Sequence, residues 1–210
     1  MRHRARTPEA KSERREQLLD AALDSFFKQG FAAARMEDIA RRAGVSKGTL
    51  YLYFASKEDI FLAIIDSVAR PRLESLEQIV DQSTGLLETL PQIMQLATHY
   101  VEHSPMPRIA KILIGEGNHF PTLLQEYRSR IIDRLLGALT RLIDQAGQRG
   151  EIVGVDPALT ARLVVAPIIF SSLWQVTFGQ HTKAPLDIPA LLALHSDMLV
   201  RALSPKESSS

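Results

Sequence analysis

The stretch Asp38-Ile39-Ala40, followed by Ala43-Gly44-Val45-Ser46-Lys47-Gly48-Thr49-Leu50-Tyr51-Leu52-Tyr53-Phe54, decides how this chain reads. Met36, Ile39, Ala40 and Ala43 recur at three- and four-residue steps, which makes one short apolar helical face, and Gly44 stops it. Ser46 can cap a second helix, Lys47 to Phe54, in which Leu50 and Phe54 lie one turn apart. Two short helices joined by a glycine turn have helix-turn-helix proportions. The small Ala40 and Ala43 let the two approach, and Val45 and Leu50 fill the angle between them. Lys47, Thr49, Tyr51, Leu52 and Tyr53 are left on faces that packing does not need. A helix of this size fits the major groove of DNA with its N-terminal residues toward the base edges.

Outward from this core the chain reads as helix after helix. Upstream, Ser12 to Gln29 carries Leu18, Leu19, Ala22, Leu23, Phe26 and Phe27 at helical spacing, and Gly30 ends it. Downstream, Ser56-Lys57-Glu58-Asp59 has the form of a capping box with Asp in the Glu position. It opens a long helix through Ile60, Phe61, Ile64, Ile65 and Val68, which Pro71 is expected to kink or split. Further helices are expected at about 86–103, 107–116, 121–148, 157–179 and 189–203, separated by Pro, Gly and polar clusters. No β-alternation is long enough for a strand and no repeat is present, so the fold class is all-α.

The charge of 25 basic and 24 acidic side chains nearly cancels over 210 residues, yet it is unevenly placed. Residues 1–57 carry twelve Lys and Arg against seven Asp and Glu, and the remainder is net acidic. Such asymmetry fits either a solvated basic end or an end that faces a polyanion. Arg2, Arg4 and Arg6 are open to the same two readings, a loose tail or an arm in the minor groove. The absence of cysteine excludes disulfides, thiolate metal sites and thiol catalysis. Leu163 to Thr182 lacks charged residues but holds Pro167, Ser171, Ser172, Gln175 and Thr177, so a buried helix is expected and no membrane span. With no apolar run behind the basic start, the expected compartment is the cytoplasm.

The quoted stretch, extended to Ser56-Lys57-Glu58, resembles the DNA-binding segment of tetracycline-repressor-like (TetR family) transcriptional regulators. The likeness covers residues 12–72, with the motif at about 35–54; it implies a helical effector-binding and dimerisation domain over 73–203, with 1–11 and 204–210 as flexible tails. It also implies a homodimer on a palindromic DNA operator, released by a small-molecule effector. By the same resemblance Lys47, Thr49 and Leu52 face base edges, Tyr51, Tyr53 and Lys57 hold phosphates, and the backbone at Gly48 lies close to DNA. Relatives usually start the second helix with Ser or Thr; here Arg35 and Met36 stand there, so no side-chain cap is expected, and Arg35 becomes a candidate phosphate contact. Leu52 offers only an apolar contact, suited to a thymine methyl.

Residues 73–203 hold no G-x-S-x-G motif and no phosphate-cradling loop, so no catalytic role and no cofactor are expected. His99 and His103 are four apart, but an unaided pair is usually ordinary surface and no metal site is assigned. Met94, His99, Tyr100, Phe120, Tyr127, Phe170 and Trp174 are the candidate lining of an apolar effector site, with plain core as the competing reading. The last two helices are apolar nearly all round, which marks Val165, Ile169, Leu192 and Leu199 as a candidate dimer seam. A helical ligand-binding protein or enzyme that does not use DNA is the alternative to the regulator.

Overall fold

The computed structural model describes residues 7–179 and 181–205, so the Arg2, Arg4, Arg6 arm and most of the C-terminal tail lie outside the described residues. Among these every regular element is helical: α1 Pro8–Gln29, α2 Met36–Arg42, α3 Lys47–Tyr51, α4 Lys57–Asp81, α5 Leu86–His103, α6 Met106–Glu116, α7 Pro121–Tyr127, α8 Asp133–Gln148, α9 Pro157–Phe178 and α10 Ile188–Leu203. A 3-10 turn, Gly117–His119, precedes α7 and a π turn, Arg128–Ile132, follows it.

Local chemistry sets most of the boundaries. The Thr7 hydroxyl accepts the Ala10 amide at 3.2 Å with Pro8 at the first position, so α1 starts four residues before Ser12 and part of the expected N-terminal tail is helical. Asp156 and Asp187 cap α9 and α10 through the amides of Leu159 and Ala190, at 2.8 and 2.9 Å. The expected helix over 121–148 is interrupted by the π turn, which separates α7 from α8. Pro71 does not split α4. Its ring lies on an exposed side, where water can satisfy the carbonyl that a proline leaves unbonded.

The chain divides into two compact units: Met1–Ser67 with Lys111–Tyr127, and Val68–Ala110 with Arg128–Ser210. The division differs from a single boundary near residue 72, because the segment 111–127 belongs with the N-terminal helices. The first unit is built around Leu18, Ala22, Phe26, Phe31, Ile39, Leu50, Phe61 and Ile64, all essentially buried. The rings of Phe26, Phe31 and Phe61 meet at 5.0–5.7 Å, and Phe120 sets its edge against Phe31 at 4.7 Å. The second unit has its core among α4, α5, α8, α9 and α10, including Leu90, Ile93, Leu139, Leu142, Val164 and Leu192. Arg134 clasps both carboxylate oxygens of Glu77 at 2.8 and 3.0 Å on its rim.

Candidate nucleic-acid interface and effector cavity

The helix-turn-helix forms through a turn that only glycine fits well. Gly44 has φ of +66°; its amide bonds the Arg41 carbonyl at 3.2 Å and the next amide, Val45, bonds Ala40 at 3.0 Å. This closes α2 in a Schellman motif and turns the chain into α3. The Ser46 hydroxyl then accepts the Thr49 amide at 3.1 Å and lies 2.8 Å from the Thr49 hydroxyl. Leu50 anchors α3 in the core, and Phe54 is buried just beyond its end. The regular helix stops at Tyr51, three residues short of the expected Phe54.

On the outer side Gly48 is exposed, Thr49 and Tyr53 are half-buried, Tyr51 is 46% exposed and Leu52 83% exposed. Lys47 pairs with Glu37 of α2, and its ammonium lies 5.7 Å from the Tyr51 ring. The hydrogen bond with Lys47 holds the Glu37 carboxyl below its usual range, and the same bond raises the Lys47 ammonium. Arg35 occupies the N-cap of α2 in extended backbone with no side-chain cap bond, and it is exposed.

Lys57, expected at a phosphate, is engaged within the chain. Its ammonium turns inward and donates to the carbonyls of Phe31 at 2.7 Å, Ala32 at 2.8 Å and Ala34 at 3.4 Å, which uses all its N–H groups. Opposite it, the Glu116 carboxylate accepts the Phe31 amide at 2.9 Å and the Ala32 amide at 2.7 Å. The turn between α1 and α2 is therefore held by two charged side chains on its main-chain atoms. Sequence reasoning did not give Glu116 this role, because it lies 85 residues from Phe31 and no spacing rule connects the two.

The second unit contains a cavity of about 100 Å³ among α4, α5, the π turn, α8 and α9. Leu73, Ile93, Ala97, Leu135, Val164 and Ile168 are among its walls, and Arg72 and Tyr100 bring polar side chains to it. Arg72 is spoken for in part: one nitrogen donates to the Val68 carbonyl at 2.6 Å and the guanidinium stacks 5.3 Å from the Tyr100 ring.

Of the candidate effector residues, Tyr100 lines this cavity. Met94 is buried toward a separate groove between α5 and α10, lined also by Ser196, and His99 is exposed. Phe120 and Tyr127 belong to the first unit, where Phe120 packs on Phe31; burial pushes the Tyr127 phenol up to about 12. Phe170 and Trp174 stack at 5.7 Å along α9, outside the cavity walls, with Phe170 51% exposed. The seam candidates also separate. Leu192 is fully buried in its own core, Leu199 packs against that core, Val165 lines the cavity and Ile169 is exposed. Leu159, Leu163, Leu194 and Met198 are the most exposed of the large apolar groups on α9 and α10.

The model of bacterial regulatory proteins of the tetR family matches residues 18–64, and the tetracyclin repressor-like C-terminal domain matches residues 84–180. The chain is 26% identical over 153 residues to the fatty acid metabolism regulator protein of Bacillus subtilis, covering 72% of this chain and 78% of that one. It is 29% identical over 157 residues to the HTH-type transcriptional regulator TtgR of Pseudomonas putida, covering 71% and 73%. In structure it is similar to the regulator FadR of Bacillus subtilis in complex with stearoyl-CoA, with TM-score 0.70, 22% identity and 89% and 98% coverage. It is also similar to a SmeT–triclosan complex, with TM-score 0.75, 24% identity and 92% and 93% coverage. A helix-turn-helix followed by a helical ligand-binding domain defines a ligand-responsive transcriptional regulator, and the chain belongs to the TetR family.

Proposed function

We propose that the protein is a dimeric repressor that binds a palindromic operator through α3 and its flanks and releases it when an apolar small molecule enters the α4–α5–α8–α9 cavity. The observation that carries this reading is the outward set of α3. Leu52 stands 83% exposed and Tyr51 46% exposed, beside a basic Lys47, on a helix otherwise fixed by its cap and by Leu50. A surface both apolar and basic, on a helix of groove-fitting size, suits the methyl-lined and phosphate-walled major groove. Lys47, Thr49 and Leu52 are assigned to base edges, Tyr51 and Tyr53 to phosphates, Arg35 to a flanking phosphate and the Gly48 backbone to close approach.

The outward apolar residues of α9 and α10 supply the dimer seam, Leu159, Leu163, Leu194 and Met198 with Ile169 at its edge. A two-fold dimer places two recognition helices on paired half-sites about 34–36 Å apart. The hydrocarbon walls of the cavity favour a largely apolar effector, in keeping with triclosan and with the acyl chain of stearoyl-CoA in the two structural neighbours. As a DNA-binding regulator it works in the cytoplasm.

A mobility-shift assay on DNA flanking its own gene tests the reading directly. Retarded DNA, released by apolar compounds, is the expected result. Failure to retard any flanking fragment overturns the operator reading, and release only by polyanionic metabolites overturns the effector reading.

A further inference from the structure

Glu116 is the last residue of α6, distant in sequence from the helix-turn-helix, yet both its carboxylate oxygens are bonded to the turn that leads into α2. Resting on the operator reading above, we propose that Glu116 is a positioning residue for DNA recognition, acting through the backbone of Phe31 and Ala32 and touching no DNA itself.

The argument follows the chain. Gly30 ends α1 at φ +84° and ψ 152°, a region open in practice to glycine alone, and a Cβ there would stand 2.7 Å from a Glu116 oxygen. The residue that ends α1 is therefore shaped to admit this carboxylate. The next two amides point into it, and Lys57 takes the carbonyls of the same residues from the other side. Phe120, four residues beyond Glu116, presses edge-on against Phe31 and lies 5.6 Å from the Lys57 ammonium. The amides and carbonyls of Phe31 and Ala32, and the Phe31 ring, are thus all engaged. Arg35 and Met36 follow at once and start α2; α2 carries Glu37, which pairs with Lys47 on α3. The α2 helix has no side-chain cap of its own, so its entry angle depends on the turn before it. Fixing that turn fixes the direction in which α3 is presented, a pre-organisation that binding would otherwise have to supply.

The test uses the full chain with Glu116→Ala and Glu116→Gln, and as probe the duplex that the wild-type protein enriches from a randomised DNA pool. Glu116→Ala is expected to weaken binding about tenfold, which corresponds to about 1.4 kcal/mol, with the salt dependence unchanged because no phosphate contact is lost. Hydrogen exchange should speed up at Phe31 and Ala32 while the buried turns of α1 around Leu18 to Phe26 keep their protection. Glu116→Gln retains one acceptor, so it should expose one of the two amides and lose less affinity; it also decides the matter if the alanine variant fails to fold. Wild-type affinity in both variants, a salt slope reduced by about one unit, or loss of protection throughout α1 each overturn the proposal. If the wild-type chain enriches no DNA, the operator reading fails, while the exchange measurement still reports on the clamp.

Discussion

Lys47 and Glu37 form an ion pair that ties the first residue of α3 to the first turn of α2, ten residues upstream. The pair lies on the surface proposed to meet DNA, so a phosphate or base acceptor must compete with Glu37 for the lysine. Glu37→Gln removes both that competitor and a negative charge. Binding to all duplexes should tighten severalfold, with a steeper salt dependence by about one unit, measured by fluorescence anisotropy across salt concentrations.

The same pair titrates in a defined sense. Hydrogen bonding to Lys47 lowers the Glu37 carboxyl from 4.5, so the pair's contribution is complete above 4.5 and is lost as pH falls through the lower folded value. The raised Lys47 ammonium leaves the pair intact at neutral pH and past 10.5. In Lys47→Met, the Glu37 side-chain resonance should titrate back near 4.5; an unchanged midpoint would show that the pair does not form in solution.

Lys57→Met removes the ammonium that satisfies the Phe31 and Ala32 carbonyls. The stability loss should be about 1–3 kcal/mol, visible as a lower urea midpoint. The salt dependence of non-specific DNA binding should stay at its wild-type slope. A phosphate contact at Lys57 would instead reduce the slope by about one unit.

Leu163 and Leu192 make a paired test of the α9–α10 seam, since Leu163 is 61% exposed in the single chain and Leu192 fully buried. Leu163→Glu should leave the helical content intact and weaken self-association by about 100-fold or more, read by sedimentation. Leu192→Glu should prevent folding. A Leu163→Glu protein that remains dimeric at low micromolar concentration places the seam elsewhere.

The cavity holds about 100 Å³, against about 300–1,000 Å³ for the pocket of a drug-sized ligand. An effector of that size must widen it, and the work of parting α5 from α9 is what links binding to a changed structure. Ala97→Phe places a ring in the space. The variant should bind operator as the wild type does but no longer release it with apolar compounds, in the same mobility-shift assay.

Helix positions were largely legible in the sequence, and the reasons are local. Ser46, Asp156 and Asp187 each stand where an N-cap is needed, and Gly44 stands where α2 must turn. What was not legible depends on facing. Large apolar side chains suggested a ligand site, but the cavity is walled by Leu, Ile, Val and Ala, which are indistinguishable in pattern from ordinary core. Phe120 and Tyr127 lie within the region assigned to effector binding, yet they fold with the helix-turn-helix. Lys57 matched its family position while its ammonium was already engaged by carbonyls that no spacing rule connects to it.

The grip of Lys57 and Glu116 on the α1–α2 turn also bears on how this regulator can be rebuilt. Both side chains hold main-chain atoms, so Ala32 and Ala33, exposed in the turn, are free to vary, while Gly30, Lys57 and Glu116 form one inseparable set. A chimaera that grafts residues 1–72 onto a foreign sensor would inherit Lys57 without Glu116 or Phe120. The transplantable module is discontinuous. A working graft has to bring 111–127 along with 1–67, and exchange only the chain outside those two pieces.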